Sequence, residues 1–337
     1  MTERLFRLLG LLMLLGSLAF GWLWLGYQNF ADAPLQVAPE GASFEVRPGA
    51  SLTGIASALE QAGHIDNRYY FIALARLSGQ ARAVRAGEYR IEHEMSARAL
   101  LDRMVEGAVQ LHALTLVEGW NFRQLREAVQ ASPYLRHTLN ELEDAELMAR
   151  LGYADVHPEG RFFPDTYHFP RGLSDVDFLR RAYRQMQDVL NAEWSQRSEK
   201  LPLKSADEAL ILASIIEKET GQANERTAIA GVFVRRLNRG MRLQTDPTVI
   251  YGRGLNVEGR LRRKDLLTDT PYNTYTRGGL PPTPIAMPGR ESIHAALHPA
   301  DGKALYFVSK GDGSHQFSAT LEEHNRAVRI YQLGLTR

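Results

Sequence analysis

The sequence predicts an α+β protein: an N-terminal transmembrane helix, a small α/β module, and a larger mixed α+β domain. Three observations lead there. The first thirty residues hold one long uncharged run. Residues 44–108 place short β-type runs on either side of helix-period segments. From residue 109 onward, long helical segments alternate with loops rich in Pro, Gly, Asn and aromatic residues. At 337 residues the chain is long enough for two globular domains.

Arg4 and Arg7 precede the uncharged stretch Leu8 to Tyr27, which has the ~20 residues a spanning helix needs. Trp22, Trp24 and Tyr27 fall where an interfacial aromatic belt would lie. The positive-inside rule then leaves residues 1–7 in the cytoplasm, 8–27 in the membrane and the remainder outside. The small-residue triplet "ADA" at 31–33 also suits a signal-peptide cleavage site. Against that, the apolar run exceeds the ~7–15 residues of a signal core, and Gln28 and Asn29 separate it from the triplet, which favours a retained anchor. Either way the functional part lies outside the cytoplasm, where ATP-dependent chemistry is not expected.

The rest of the composition narrows the classes. Forty Lys plus Arg against 39 Asp plus Glu give a net charge of +1, so there is no electrostatic footprint for nucleic acid. Cysteine is absent, which excludes disulfides, thiol nucleophiles and Cys-ligated zinc and suits an oxidising compartment.

Residues 28–43, with Pro34, Pro39 and Gly41, read as a tether. In 44–108, a strand at Phe44 to Val46 meets a Pro-Gly turn, then a helix with Leu52, Ile55, Ala56 and Leu59 on one face. "RAGEYRI" reads as a returning strand, and "SARALLDRMVEG" as a helix ended by Gly107. This strand–helix–helix–strand order, with "VRPGASLTGIA" and "RAGEYRI", resembles a LysM module. The resemblance implies a grip on N-acetylglucosamine-containing polymers; the alternative is a scaffold that holds the next domain off the membrane.

The larger domain, 109–337, opens with a strand and turn in "QLHALTLVEGWNF" and helices near Phe122 to Ala131 and Thr138 to Leu151. "HPEGRFFPDTYHFPRG" packs prolines and aromatic rings into a rigid stretch that suits a wall of a carbohydrate cleft, or simply a rigid loop. The helix expected at Asp175 to Arg197 carries a core stripe of Phe178, Leu179, Tyr183, Met186, Val189 and Leu190.

"LILASIIEKETG" holds two carboxylates at the end of an apolar run. With Ala206 to Thr220 as a helix, Ser205 or Asp207 as its N-cap and Gly221 as a left-handed terminator, the wheel separates them. Glu219 falls within about 20° of the mean apolar direction and Glu217 points almost the opposite way. Lys218 is poorly placed to pair with Glu219. Apolar surroundings and the negative end of the helix dipole both raise the pKa of Glu219. A carboxylic acid kept protonated near neutral pH is what protonating a glycosidic oxygen requires. Glu217 reads as a surface or ion-paired carboxylate.

A second helix, Glu225 to Asn238, leads into "MRLQTDPTVIYG", and further on stand "YNTYTRGGLPPTPIAMPG", "HPADGKALYFV" and "GSHQFSATLEEHN". With "ASIIEKET", these motifs closely resemble the MltG (YceG-like) family of membrane-anchored endolytic murein transglycosylases, over nearly the whole chain. In that family the catalytic glutamate is the one followed by Thr, which here is Glu219 before Thr220. The resemblance implies non-hydrolytic cleavage of the β-1,4 bond between N-acetylmuramic acid and N-acetylglucosamine, with Glu219 as acid and then base and a 1,6-anhydro ring as product. It implies peptidoglycan strands as substrate, an inner-membrane protein facing the periplasm, and wall synthases as candidate partners.

Candidate substrate groups in the motif loops are Gln244, Thr248, Tyr272, Asn273 and Tyr275, which could hold acetamido groups and transient positive charge. Asp246 and Glu159 are the candidates for a second carboxylate, and Asp246 before Pro247 also suits a turn. No cofactor is expected. His294 and His298 have an i,i+4 zinc spacing, but no Glu lies between them and the sequence shows no third ligand in register. Ser214 and Ser309 lack a nucleophile-elbow context. "GRGLNVEGRL" and "SKGDGSHQ" read as turns, and the Arg clusters at 235–242 and 260–264 as solvated surfaces able to meet acidic peptide stems.

Overall fold

The computed structural model describes residues 2–254 and 261–334; most of "GRGLNVEGRL", and Arg260 with it, lies outside them. The chain forms two compact units, one of Met1–His112 with His168–Gly172, the other of Ala113–Tyr167 with Leu173–Arg337.

The first unit opens with α1 (Thr2–Asp32), whose stretch Arg4–Asp32 is long and apolar enough to cross a membrane. It continues through β1 (Ala42–Val46), α2 (Leu52–Gln61), α3 (Arg68–Leu77), β2 (Gly87–Ile91) and α4 (Ala97–Glu106). The expected strand–helix–helix–strand order is therefore present, with α4 ending at Gly107 in a left-handed conformation (φ 75°). Ser51, Asn67 and Ser96 cap α2, α3 and α4 by accepting backbone N–H bonds in their first turns. β1 and β2 pair antiparallel with Phe44 opposite Tyr89, and both side chains enter a core that also holds Leu59, Phe71 and Leu100.

Residues 28–43 are not a free tether. The helix runs on to Asp32, Ala31 and Leu35 are buried in the unit's core, and the Leu35 N–H donates to Met95 O (2.8 Å). Asp32 pairs with Arg98 (2.9 Å) and Phe30 packs on Tyr70 (5.7 Å between centroids). Two apolar residues and an ion pair outweigh the local Pro and Gly signals. Segment 168–172 joins this unit through Arg171, which donates to the buried Glu88 (3.0 Å) alongside Ser43 (2.6 Å) and His112 (2.5 Å). Burial alone would raise the Glu88 pKa, but these donors hold it down at about 2.

β3 (Leu111–Thr115) pairs with β4 (Thr166–Pro170) as a second two-stranded sheet, and the unit boundaries fall within these strands. Between them lie α5 (Phe122–Ala131) and α6 (Asp144–Leu151). The helix expected from Thr138 starts six residues later, because the Thr138 and Leu139 amides donate to Asp175 Oδ2 (2.6 and 2.9 Å) instead of continuing a helical ladder.

α7 (Asp175–Ser195) buries the expected stripe. α8 (Ala206–Glu219), α9 (Arg226–Asn238), α10 (Asp246–Gly252), α11 (Arg263–Leu267) and α12 (Arg290–Leu297) follow. The hairpin β5 (Tyr306–Ser309) and β6 (His315–Ser318), then α13 (Leu321–Tyr331), complete the second unit. α8 is the centre of this unit: Ala209 to Ile216 are all buried, against α7, α9 and α12. Phe162, Phe163, Tyr167 and Phe169 are at most 9% exposed. The aromatic stretch expected to form a cleft wall is therefore core.

Candidate active site

α8 places Glu219 at its last helical position. Ser205 starts the helix by accepting the Glu208 N–H (3.2 Å). Gly221 is not the terminator. Thr220 leaves the helix in an extended conformation (φ −143°, ψ 136°), which removes the need for a left-handed residue. The two glutamates meet different partners, and both are half-buried, so Glu217 is not the surface or ion-paired carboxylate expected. Glu217 accepts the Gly289 N–H (3.1 Å), Lys218 reaches Gly119 O (3.2 Å), and Glu219 accepts the Thr245 hydroxyl.

Glu219 is half-buried at the wall of a cleft of about 510 Å³. Burial pushes its pKa up to about 7, and the negative charge of Asp246 adds to that. The Thr245 hydrogen bond and His315 pull the other way and are outweighed. At neutral pH the group is poised between acid and base.

One side of the cleft comes from the loop into α10. Gln244, Asp246 and Tyr275 line it, and the Tyr275 hydroxyl donates to Asp246 Oδ1 (2.6 Å). Gln244 adopts φ +52°, a left-handed conformation uncommon for a residue with a side chain. It is held by Thr274 O, which accepts its N–H (3.2 Å), and by Arg236, which donates to its side chain (3.2 Å). Arg236 is 6% exposed and also donates to the carbonyls of Arg242, Leu243 and Leu305. It is therefore an internal strut and not part of a solvated basic face. Its neighbour Arg235 likewise caps the carbonyls of Ala300 and Ala304, whereas Arg262 and Arg263 are exposed.

The other side, Tyr306, Ser309, His315 and His324, comes from the β5–β6 hairpin and α13. Sequence reasoning missed these residues. The available signal was the "SKGDGSHQ" turn: a Gly-Asp-Gly link between two short β runs marks a hairpin, which sets His315 opposite Ser309.

The remaining candidates sit elsewhere. Thr248 is fully buried and bonds Thr245 O (2.8 Å) and Thr274 Oγ1 (2.9 Å), so it shapes the loop that carries Thr245. Asn273 directs its amide N–H groups to the carbonyls of Asp265, Leu266 and Thr268 and accepts the Tyr275 N–H. Its bonds are spent within the protein. Tyr272 bonds Thr283 (2.8 Å) and packs edge-on against Tyr251 (4.8 Å).

Glu159, 2% exposed, accepts the Phe122 N–H (3.1 Å) and the Tyr251 hydroxyl (3.1 Å) beside a different cavity, of about 480 Å³. Burial pushes its pKa to about 7 as well. Ser214 is core, bonded to Ile211 O and to the Ile285 N–H.

The fold supplies the third group that the sequence did not show for His294 and His298: Glu193 of α7, with ligand atoms of all three within 4.8 Å of one another. As they stand these groups are committed to protein. Glu193 holds Arg290 and His294 (2.9 Å each), and the two His298 nitrogens face Gln196 O (2.8 Å) and His294 O (3.2 Å).

The model of the YceG-like family matches residues 44–330. An endolytic murein transglycosylase of Bacillus subtilis is 33% identical over 307 residues, covering 86% of this chain and 84% of that protein. One from Streptococcus pneumoniae is 26% identical over 340 residues, covering 90% of this chain, which spans 61% of that longer protein. A crystal structure of a Listeria monocytogenes protein described as YceG-like superposes with a TM-score of 0.54 at 31% identity, over 86% of this chain and 99% of that one. The family match spans both units and includes α8, the α10 loop and the hairpin that together line the Glu219 cleft, and on that extent the chain belongs to the YceG-like family.

Proposed function

We propose that the protein is a membrane-anchored lytic transglycosylase that cuts the bond from N-acetylmuramic acid to N-acetylglucosamine within peptidoglycan strands. The observation that carries this reading is Glu219: one carboxyl in an open cleft, held near pKa 7 by burial and by Asp246. Its relatives' names, endolytic murein transglycosylase, support the same reading.

The protonated Glu219 gives its proton to the departing glycosidic oxygen as positive charge grows on the muramoyl ring. The resulting carboxylate, accepting the Thr245 hydroxyl, then takes the proton of the C6 hydroxyl as that oxygen closes on C1. Each turnover returns Glu219 to its protonated state. Asp246, fixed by Tyr275, serves as the charge that keeps the acid protonated and faces the developing cation. Gln244 and Tyr275 supply polar contacts to the glycan.

In this reading α1 spans the cytoplasmic membrane with Arg4 and Arg7 inside, and the cleft works in the periplasm. Because α1 is packed into the first unit through Tyr27, Phe30 and Ala31, that unit stands at the membrane surface. There a LysM-like module would meet newly made strands, and wall synthases are natural partners.

The test is digestion of purified sacculi by the full-length protein and by Glu219→Gln, followed by mass spectrometry of the ends. The wild type should give 1,6-anhydro ends and the variant none while remaining folded. Reducing ends from the wild type would identify a hydrolase.

A further inference from the structure

His315, which lines the same cleft as Gln244 and Asp246 of the loop into α10, is fixed in an unusual way. Glu225, on the short turn Ala223–Glu225 before α9, uses both carboxylate oxygens on this one residue. It accepts the His315 backbone N–H on Oε1 (3.0 Å) and the ring Nδ1–H on Oε2 (2.7 Å). Both side chains are nearly buried, at 10% and 13% exposure. The ring also stands edge-on to Phe307 (5.4 Å, 87°). Its backbone, its tautomer and its rotation are thus all determined. With Nδ1 committed, Nε2 is the remaining polar atom. It has no protein hydrogen-bond partner among the described residues, and the residue lines the Glu219 cleft.

A bond whose only task was to join the hairpin to α9 would need the backbone contact alone. Orienting an imidazole so that one nitrogen faces an open cleft is the arrangement by which a second group fixes a working histidine. We propose that Glu225 and His315 form a second functional pair of this cleft, in which His315 Nε2 forms a hydrogen bond with a hydroxyl of the bound glycan and orients it for the chemistry at Glu219.

The charged and titratable groups around the ring favour a neutral hydroxyl over an anionic partner. Glu225, Glu219 and Asp246 are acidic. The Arg236 guanidinium is spent on carbonyls and on Gln244, and His324 stacks on Tyr306 (5.2 Å). Lys310 acts on Glu225. Glu225 is thereby a positioning residue and His315 a residue that touches substrate.

The inference rests on the transglycosylase reading, and two isosteric variants of the full-length protein separate them. His315→Asn keeps a donor where Nδ1 lies and deletes Nε2; His315→Gln places an amide where Nε2 lies. On sacculi, His315→Asn should lower kcat/KM for formation of anhydro ends by about 10–100-fold with an unchanged Tm. His315→Gln should recover at least about a third of the wild-type value. Wild-type kcat/KM in His315→Asn would overturn the pair while leaving the function intact. Equal losses in both variants with lowered Tm would also overturn it, by showing that His315 only joins the hairpin to α9. Wild-type protein that forms no anhydro ends would overturn the transglycosylase reading itself, and the inference with it.

Discussion

The Thr245 hydroxyl donates to Glu219 Oε1 across 26 residues of sequence, from the position that immediately precedes α10. The bond favours the ionised carboxylate, against burial and Asp246, which favour the acid. Replacing Thr245 by its isostere Val removes that donor. The pKa of Glu219 should then rise above its value of about 7, by about one unit. In a pH–rate profile on sacculi the alkaline limb, which reports loss of the acid, should move up by that amount. An unmoved limb would mean that Glu219 is not the group titrating there.

Asp246→Asn should act in the opposite direction. Asp246 raises the Glu219 pKa by its charge, and Asn keeps an oxygen to accept the Tyr275 hydroxyl. Without the charge Glu219 ionises at lower pH, so the alkaline limb should move down and the rate at pH 8 should fall more than the rate at pH 6. The developing cation also loses a facing charge, so kcat should fall at every pH. Opposite shifts for Thr245→Val and Asp246→Asn, measured in one buffer series, are the signature of a single acid tuned by two neighbours.

Which parts of this arrangement can be read from sequence follows from how local their causes are. Glu219 is legible because a helix wheel needs only the spacing within α8, and the N-cap Ser205 is equally local. The termination of α8 is less so: Gly221 carries the usual signal, yet Thr220 is buried and already extended. Phe162, Tyr167 and Phe169 show rings in a Pro-rich stretch, and nothing local says that the rings turn inward. Residues 28–43 read as a tether because the partners that bury Leu35 and pair Asp32 lie about sixty residues later, at Met95 and Arg98. The β5–β6 pairing is local and marked by the "SKGDGSHQ" turn, but His315 and Tyr306 reach the cleft only through the placement of that hairpin against α9 and α13, and no window of the sequence contains that placement.

Glu159 makes a stability prediction distinct from catalysis. Burial, the largest effect, raises its pKa from 4.5 to about 7, despite hydrogen bonds from Phe122 and Tyr251 that favour the ionised form. A folded-state pKa above the unfolded one means that the folded protein binds the proton more tightly. Its contribution is fully present below about pH 4.5 and is lost as pH rises through about 7. The difference is worth on the order of 3 kcal/mol. Glu159→Gln, a mimic of the neutral acid, should leave Tm nearly unchanged at pH 5 and raise it at pH 8. A variant less stable at both values would show that the ionised carboxylate, bonded to Phe122 and Tyr251, is the form the fold prefers.

Gln244 tests whether the cleft stores backbone strain. Its φ of +52° is held by Thr274 O and by the buried Arg236. A left-handed conformation costs a residue with a Cβ about 1–2 kcal/mol, and glycine escapes that cost. Gln244→Ala and Gln244→Gly both delete the amide that Arg236 holds, so the loss of that bond cancels between them. What remains is the backbone difference, partly offset by the greater freedom of glycine in the unfolded chain. Chemical denaturation should therefore find Gln244→Gly more stable than Gln244→Ala by about 1 kcal/mol, the reverse of the order seen inside helices. Both variants should lose activity, since each removes a polar side chain from the lining of the Glu219 cleft. If alanine proved the more stable, the loop would have relaxed out of the left-handed region. The cleft wall would then be shaped by the Gln244 side chain and not by its backbone.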